Sequence, residues 1–428
     1  MLGGKQIGKR ILTWLILILL LPTCSFAEDD STDAEDLSRF CHCTLDSQHF
    51  QQILRALSDA NYNTECELSR GQRFSVSWDD EVKADSVFVE FSVMPGSYRV
   101  LQFDGADECI SEEDGHSFIQ SLIPLKEEAR TLCIEAEGFL RICTLRVYGK
   151  GEVANAHPWD YSVKKLDYLV IAMHPDDDVL FMGAIVPTYS AEYGMQGRIF
   201  YATPARRKRQ TEALNGAWTM GLRNVPEFGP FSDIPQVKAL EFADRFEVSE
   251  IITCLVRVIR KHRPEVVFSH DLKGEYGHWQ HRQLAIAVQK AVPLAADDTY
   301  DRESAAQYGI WQVKKLYLHL YPNNQIEIPS TVPLLAFDGK SAEEVAADAF
   351  LCHASQHSDR HAVRNEGVYS LSDFGLAYTV VGEDTPGKND PFEHIPVDDL
   401  SQSWKETIVI RAAQRFEKKL TERFFAGK

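Results

Sequence analysis

The pattern of hydrophobic and polar positions changes near residue 150. Before that point, apolar and polar residues alternate over short stretches, as in Arg73–Trp78, Val87–Val93 and Leu140–Tyr148. A period of two predicts strands with one buried face. Because turn residues such as Met94–Gly96 separate these stretches, the pattern predicts an all-β sandwich over residues 40–150.

Beyond residue 166, apolar runs of strand length alternate with stretches of helical period. An apolar stripe between Val248 and Ile259 predicts a helix that stops before Pro264, and Ser341–Glu344 fits a capping box. Residues 151–165 form the predicted linker. Four runs predict strands: Leu166–Met173, Arg198–Thr203, Glu265–Ser269 and Lys315–Tyr321.

Strands separated by helices of this length predict an α/β domain over residues 166–428. The expected architecture is a Rossmann-like, doubly wound and mostly parallel sheet. A surface helix is expected near Trp404–Phe425.

The first 39 residues have the pattern of a targeting segment. Three basic residues precede the apolar stretch Ile11–Leu21, and Ser25–Ala27 fits a small-x-small cleavage site. We therefore expect a signal peptide over residues 1–27, followed by a flexible acidic leader over residues 28–39. The expectation is an exported protein (secreted, periplasmic or associated with the cell envelope) without a stable membrane span after cleavage. Leu21–Cys24 loosely resembles a lipoprotein cleavage site, so a lipid or membrane anchor stays an alternative.

Composition narrows the class of partner. The chain of 428 residues has 63 acidic and 45 basic residues and a formal net charge of -18. A protein this acidic is not expected to bind nucleic acid through its general field. The sequence carries no signal for oligomeric state.

Cysteines cluster in the predicted sandwich, and export predicts disulfides among them. Six cysteines allow 15 pairings. We favour Cys133 with Cys143, because the two flank a possible hairpin. A cysteine zinc cluster is the alternative, although the spacings lack a paired C-x-x-C. The six cysteines are Cys41, Cys43, Cys66, Cys109, Cys133 and Cys143.

Two segments with the residues of a metal site follow predicted strands. His174–Asp178 comes directly after the run Tyr168–Met173, and His278 and His281 follow the strand that ends at Ser269. The carboxyl ends of parallel strands meet at one edge of a sheet. Adjacent carboxylates repel one another unless a cation lies among them. Two histidines and one aspartate would suffice for zinc, and the remaining groups suit the proton transfers of metal-assisted amide hydrolysis.

Other interpretations of these fragments exist. Three consecutive aspartates also cap helix N-termini, and an isolated H-x-x-H at a helix start commonly lies on the surface. A second H-x-x-D, His157–Asp160, follows linker sequence, and we interpret it as structural. The occurrence of both fragments after separate strands of one domain favours a site.

Four motifs resemble those of the PIG-L/LmbE-like N-acetylglucosaminyl deacetylases, in order and spacing, across Leu166–His357. Ile171–Asp178 is similar to the family's A-H-P-D-D-E signature and Gly274–His281 to its G-H-x-x-H motif. The others are Arg209–Glu212 with Met220–Leu222, which matches an R-x-x-E helix ending in L-G, and His353–Gln356, which resembles a late S-Q element.

The resemblance implies a role for each matching position. His174, Asp177 and His281 would bind zinc (Zn²⁺). Asp176 would be the general base that activates a zinc-bound water. His278 would polarise the acyl carbonyl and stabilise the oxyanion, or protonate the leaving amine.

Two positions depart from the family pattern. Asp178 stands where the family usually has Glu, which shortens whatever contact that carboxylate makes. Gln280 stands where the residue before the last metal histidine is often Asp. A carboxylate there could raise the basicity of His278, whereas an amide cannot do so by charge.

Three further residues are candidates for substrate binding. Arg206–Arg209 is the basic run of an acidic chain, so Arg209 either pairs locally with Glu212 or contacts an anionic part of the substrate. Tyr276 and Trp279 flank the predicted site and either stack on a sugar ring or pack in the core.

The predicted sandwich resembles the discoidin-like, galactose-binding jelly-roll domains. The matching pieces are Ala56–Thr64 and Leu145–Gly149. Members of that family bind glycans or only pack against a catalytic partner, and both alternatives stay open.

The sequence thus predicts an exported zinc-dependent hydrolase that removes the acetyl group from an N-acetylated amino sugar through a metal-activated water. Its partner would be a glycan or glycoconjugate of the N-acetylglucosamine type. One alternative is a glycan-binding protein with a weak or inactive deacetylase domain. Another is a hydrolase of a different amide.

Overall fold

The computed structural model describes residues 33–46, 48–49, 57–59, 61–204, 206–234, 248–357 and 361–401. The predicted signal peptide, the start of the acidic leader and the predicted helix near Trp404–Phe425 lie outside the described residues. In the described part of the chain, no helix combines the length and apolarity that crossing a bilayer requires.

Two antiparallel sheets make up the first part of the molecule. The six-stranded sheet has the spatial order β2-β1-β4-β9-β6-β7, and the four-stranded sheet has the order β3-β10-β5-β8. The strands are β1 (His42–Leu45), β2 (Gln48–His49), β3 (Cys66–Leu68), β4 (Arg73–Ser77), β5 (Ser86–Phe91), β6 (Tyr98–Phe103), β7 (Cys109–Asp114), β8 (Gln120–Pro124), β9 (Thr131–Ala136) and β10 (Leu140–Tyr148).

Alternation explains how these strands pack. In β4, Phe74 and Val76 are buried, whereas Arg73 is exposed and Ser75 half-buried. The buried side chains of both sheets form one apolar cluster. The all-β organisation predicted from the period of two is therefore present, while the predicted domain boundaries stay predictions.

A seven-stranded sheet organises the second part, with the spatial order β13-β12-β11-β14-β15-β17-β16. Neighbouring strands run parallel from β13 to β15, and β17 and β16 run antiparallel. A mixed α/β organisation is thus confirmed. The strands are β11 (Tyr168–Ala172), β12 (Gly197–Tyr201), β13 (Glu227–Phe228), β14 (Val266–Ser269), β15 (Lys315–His319), β16 (Gln325–Glu327) and β17 (Asp373–Thr379).

Helices cover the sheet. They are α1 (Asp177–Phe181), α2 (Arg207–Thr219), α3 (Val248–His262), α4 (Trp279–Leu294), α5 (Arg302–Tyr308) and α6 (Ala342–Leu351). All of β11 is buried, because Val170 packs in a cluster with α1, α2 and α6, and Leu169 and Ile171 pack in another with α3 and α4.

Two helix signals in the sequence are confirmed. Helix α3 ends at His262, two residues before Pro264, which cannot continue it. At the start of α6, Ser341 and Glu344 form the predicted capping box.

The predicted disulfides are absent among the described residues, in which all eight cysteines are free thiols. The favoured pair is wrong, because β9 and β10 do not pair with each other. Cys133 lies in the six-stranded sheet and Cys143 in the four-stranded one.

Burial, with a smaller effect of Cys41 and Cys66, raises the pKa of Cys43 to about 12. The candidate metal groups of the described residues contain no cysteine.

Candidate metal centre

Adjacent parallel strands bring the two predicted segments together. β11 and β14 are paired with Ile171 beside Ser269, so the segments that follow the two strands leave the sheet at the same edge. His270 follows β14 directly, and its Nε2 accepts a hydrogen bond of 2.9 Å from the backbone N–H of Met173. His174 is the next residue of the first segment.

Three buried donor atoms form a nearly equilateral triangle. His174 Nδ1 lies 3.1 Å from His281 Nε2 and 3.2 Å from Asp177 Oδ2. The third side, from His281 Nε2 to Asp177 Oδ2, measures 3.3 Å. Ligand bonds of about 2.0 Å in a tetrahedral zinc site place the donors about 3.3 Å apart. The three predicted metal ligands therefore fit a zinc ion.

Oxygen atoms lie close to the nitrogen of each imidazole that points away from this triangle. The other nitrogen of His281, Nδ1, lies 2.8 Å from Glu275 Oε2. The other nitrogen of His174, Nε2, lies 3.3 Å from Gln280 Oε1. An oxygen at one ring nitrogen favours the proton there and leaves the lone pair of the opposite nitrogen free for a metal.

Glu275 is the carboxylate that holds the cluster together. It is fully buried, and its oxygens lie 2.7 Å from His270 Nδ1 and 3.1 Å from His319 Nδ1 as well as close to His281. It also accepts a hydrogen bond of 3.0 Å from the backbone N–H of Asp271. Burial opposes ionisation, but His270 and the other two histidines hold the pKa of Glu275 well below its usual range.

Sequence reasoning missed Glu275, His270 and His319 as parts of the site. A signal existed for the two histidines: His270 directly follows β14 and His319 ends β15, the same strand-end position that singled out His174. Asp177 and His281 form a second candidate metal group with His270. That group is less suitable, because Met173 and Glu275 already occupy both nitrogens of His270.

His278 lies beside the triangle. It is almost fully buried, and its ring centroid is 5.0 Å from that of His174 and 4.5 Å from that of His281. In the described part of the chain its Nδ1 has no hydrogen-bond partner. Burial, reinforced by His281 and His174, lowers the pKa of His278 to about 3, so the imidazole is neutral. The three histidines have ring nitrogens within 4.8 Å of one another.

Asp176 pairs with Arg209. Arg209 Nη2 lies 2.9 Å from Asp176 Oδ1, and Arg209 Nη1 lies 2.8 Å from Asp233 Oδ2. The alternative of a local Arg209–Glu212 pair is wrong. Glu212 instead accepts hydrogen bonds from the backbone N–H and the hydroxyl of Ser355. The R-x-x-E helix and the S-Q element therefore contact each other through Glu212 and Ser355.

The two departures from the family pattern have different surroundings. Asp178 is buried and accepts a hydrogen bond of 3.0 Å from the hydroxyl of Tyr201, while burial raises its pKa to about 8. Gln280 contacts His174 and also donates to the carbonyl of Ser232. The substitution at position 280 therefore bears most directly on His174, and the expected effect on His278 stays a prediction.

The aromatic candidates differ in exposure. Tyr276 is 46% exposed and its ring lies 5.7 Å from that of His281, whereas Trp279 is 8% exposed. The exposures favour Tyr276 as a stacking surface. The second H-x-x-D is structural as interpreted, because the His157 ring stacks on Trp218.

A cleft of about 650 Å³ adjoins the cluster. Its lining includes Arg209 and Asp233, the partners of Asp176, together with Arg206, Lys208 and Gln356. The cleft offers space for a ligand of sugar size next to the candidate metal ligands.

Comparison with known proteins finds similarity to the PIG-L family in this part of the chain. Residues 169–292 match the PIG-L family profile, described as GlcNAc-PI de-N-acetylase. A 1D-myo-inositol 2-acetamido-2-deoxy-alpha-D-glucopyranoside deacetylase from Catenulispora acidiphila is 26% identical over 36% of this chain and 56% of its own length. The chain thus spans little more than half of that relative.

Two solved structures are similar to parts of the chain. The N,N'-diacetylchitobiose deacetylase of Pyrococcus horikoshii is 20% identical, with a TM-score of 0.35, over 46% of this chain and 72% of its own. The family 32 carbohydrate-binding module of C. perfringens NanJ, in complex with galactose, is 17% identical, with a TM-score of 0.22, over 27% of this chain and 98% of its own.

Proposed function

We propose that this chain is a zinc-dependent hydrolase that removes the acetyl group from an N-acetylated amino sugar of the N-acetylglucosamine type. The observation that carries the proposal is the buried triangle of His174 Nδ1, Asp177 Oδ2 and His281 Nε2, next to Asp176 and His278. The PIG-L match over residues 169–292 supports the same chemistry.

The surroundings of Asp176 and His278 indicate a different role for each residue. When bound, zinc would lower the pKa of a coordinated water and polarise the acyl carbonyl. Asp176 accepts the proton of the attacking water on its carboxylate, which Arg209 keeps oriented. His278, neutral and beside the triangle, donates a hydrogen bond to the developing oxyanion, and the proton that Asp176 took from the water passes to the leaving amine.

The substrate class follows from the cleft and from the relatives. An exposed aromatic ring at Tyr276 suits the face of a sugar, and the cleft at Arg209 and Asp233 supplies polar groups for hydroxyls. The Catenulispora relative is a deacetylase whose name specifies a 2-acetamido-2-deoxy-glucopyranoside. We also propose export, on the basis of the basic and apolar pattern of residues 5–27.

Acetate release from purified protein tests the proposal. The substrates are N-acetylglucosamine, its inositol glycoside and N,N'-diacetylchitobiose, each with added zinc and after chelation. We expect release that depends on zinc and that falls by about 10²-fold or more in Asp176→Asn, because general acid–base catalysis is worth that much. The exposed Asp80→Asn, in the sandwich, is the matched control.

Two outcomes would contradict parts of the proposal. Zinc-loaded protein that binds these sugars but releases no acetate would favour a glycan-binding protein. Equal rates for Asp176→Asn and the parent would exclude Asp176 as the base.

A further inference from the structure

Helix α2 begins at the contact between the sandwich and the α/β domain. Its first residue, Arg207, reaches into the sandwich, where Nη2 lies 2.7 Å from Glu90 Oε1 and Nε donates to the carbonyl of Phe91 at 3.1 Å. The guanidinium also lies 5.6 Å from the ring centroid of Tyr62. The side chains of Arg207 and Glu90 are 7% and 6% exposed.

The Arg207 side chain also contacts the first turn of α2. The N-cap residue of α2 is Arg206, which forms no side-chain capping bond. Arg207 Nη1 donates to Thr211 Oγ1 at 2.9 Å, so this one side chain joins the sandwich to the first turn of the helix. Breaking a buried ion pair is costly in free energy, because loss of one partner leaves a buried charge without compensation.

The same turn carries the residue that holds Asp176. Side chains two positions apart on an α-helix project about 200° apart, since each residue turns the helix by about 100°. Arg207 therefore faces the sandwich while Arg209 faces the site, where it contacts Asp176 and Asp233. A displacement of this turn would move both contacts together.

We propose that the β-sandwich contributes to the catalytic rate of the hydrolase. The Glu90–Arg207 pair fixes the position of Arg209 and thereby of Asp176. Glu90 and Arg207 are positioning residues that act through Arg209. The inference rests on the proposed function. It assigns the sandwich a role beyond that of a tethered glycan-binding module.

A double-mutant cycle tests this coupling. Arg207→Met, Arg209→Met and the double variant are compared for kcat, KM and bound zinc, at a temperature at which circular dichroism shows each to be folded. Arg207→Met is expected to lower kcat at least 10-fold with KM changed less than about 3-fold and zinc retained, since small misplacements of catalytic groups are costly. The double variant should be no more than about 3-fold slower than Arg209→Met, because residues that act in series are not additive.

Arg130→Met is the matched control. Arg130 also pairs with a carboxylate, Asp80, and donates to two backbone carbonyls, but all these contacts lie within the sandwich. It should leave kcat unchanged. If Arg207→Met does not fold, Glu90→Gln replaces it and should lower kcat in the same direction by a smaller factor. Unchanged kcat in the foldable variant, or losses that add in the cycle, would overturn the inference.

Hydrogen exchange separates this inference from the proposed function. If the parent released no acetate, the proposed function would fail, and the coupling would be judged by amide exchange alone. Faster exchange over residues 209–213 and 174–178 in Arg207→Met, but not in Arg130→Met, would support the coupling. Exchange equal to that of the parent in both segments would refute it.

Discussion

An apolar cluster fills the space between the two sheets of the β-sandwich, whereas the carboxyl edge of the parallel sheet encloses titratable side chains. Phe74 and Val76 are as deeply buried as Glu275 and His281, all at 1% exposure or less. Each buried apolar Å² stabilises the fold by about 25 cal/mol, but a buried polar group costs free energy unless it is paired. Every histidine around Glu275 is paired with its carboxylate. The apolar side chains of the sandwich thus stabilise the fold, whereas the paired groups at the sheet edge hold the candidate metal ligands in place.

Two alanine substitutions, one in each region, should differ most in their effects on zinc binding and on stability. His281→Ala is expected to abolish stoichiometric zinc binding and acetate release, because one corner of the donor triangle disappears. Phe74→Ala is expected to lower the free energy of unfolding by about 3–5 kcal/mol, as other large-to-small core changes do, with zinc content unchanged. Metal analysis after gel filtration and urea unfolding measure the two quantities. Folded Phe74→Ala without zinc, or His281→Ala with one zinc per chain, would break the contrast.

A smaller effect is expected from the carboxylate behind the ligands. Glu275→Gln should weaken zinc binding about 10- to 100-fold, because partners that orient metal ligands contribute that much. The control is Glu393→Gln, a buried carboxylate that bonds Thr385 and Lys388 away from the histidines. Competition with a fluorescent zinc chelator gives both affinities. Equal affinities for the two variants would show that Glu275 does not support the metal site.

The smallest effect concerns pH. Although burial opposes it, His262 and Lys261 lower the pKa of Glu227 to about 2, from 4.5 for the free side chain. A depressed pKa contributes stability above pH 4.5 that is lost as the pH falls toward 2. Glu227→Gln should therefore cost roughly 2 kcal/mol at pH 7 and less than half of that at pH 3.

Phe74→Ala is the reference for this pH dependence, because its apolar loss involves no proton. Its cost in urea unfolding should be the same at pH 7 and pH 3. A Glu227→Gln cost that is also independent of pH would remove the ion pair as the explanation.

What the sequence predicted well is local. The alternation in β4, the capping box at Ser341–Glu344 and the stop at Pro264 each depend on a few neighbouring residues, and the structure has all three. The His174–Asp178 segment could be found because a charged run directly follows a buried strand.

The remaining features depend on contacts between distant residues. Arg209 binds Asp176, 33 residues away, in preference to the nearby Glu212. Glu275 contacts His319, which is 44 residues away, and Arg207 contacts Glu90 across 117 residues. No periodicity encodes such partners. The Cys133–Cys143 pairing failed for the same reason, because it assumed that strands close in sequence are also paired.

The location of bound zinc tests the central claim most directly. Crystals of zinc-loaded protein, measured on both sides of the zinc absorption edge, locate the metal without reference to activity. One anomalous peak is predicted, bonded to His174 Nδ1, Asp177 Oδ2 and His281 Nε2, with Glu275 and Gln280 still on the opposite nitrogens of the two histidines. A peak bonded to His270, or no peak at the edge of the sheet, would contradict the account.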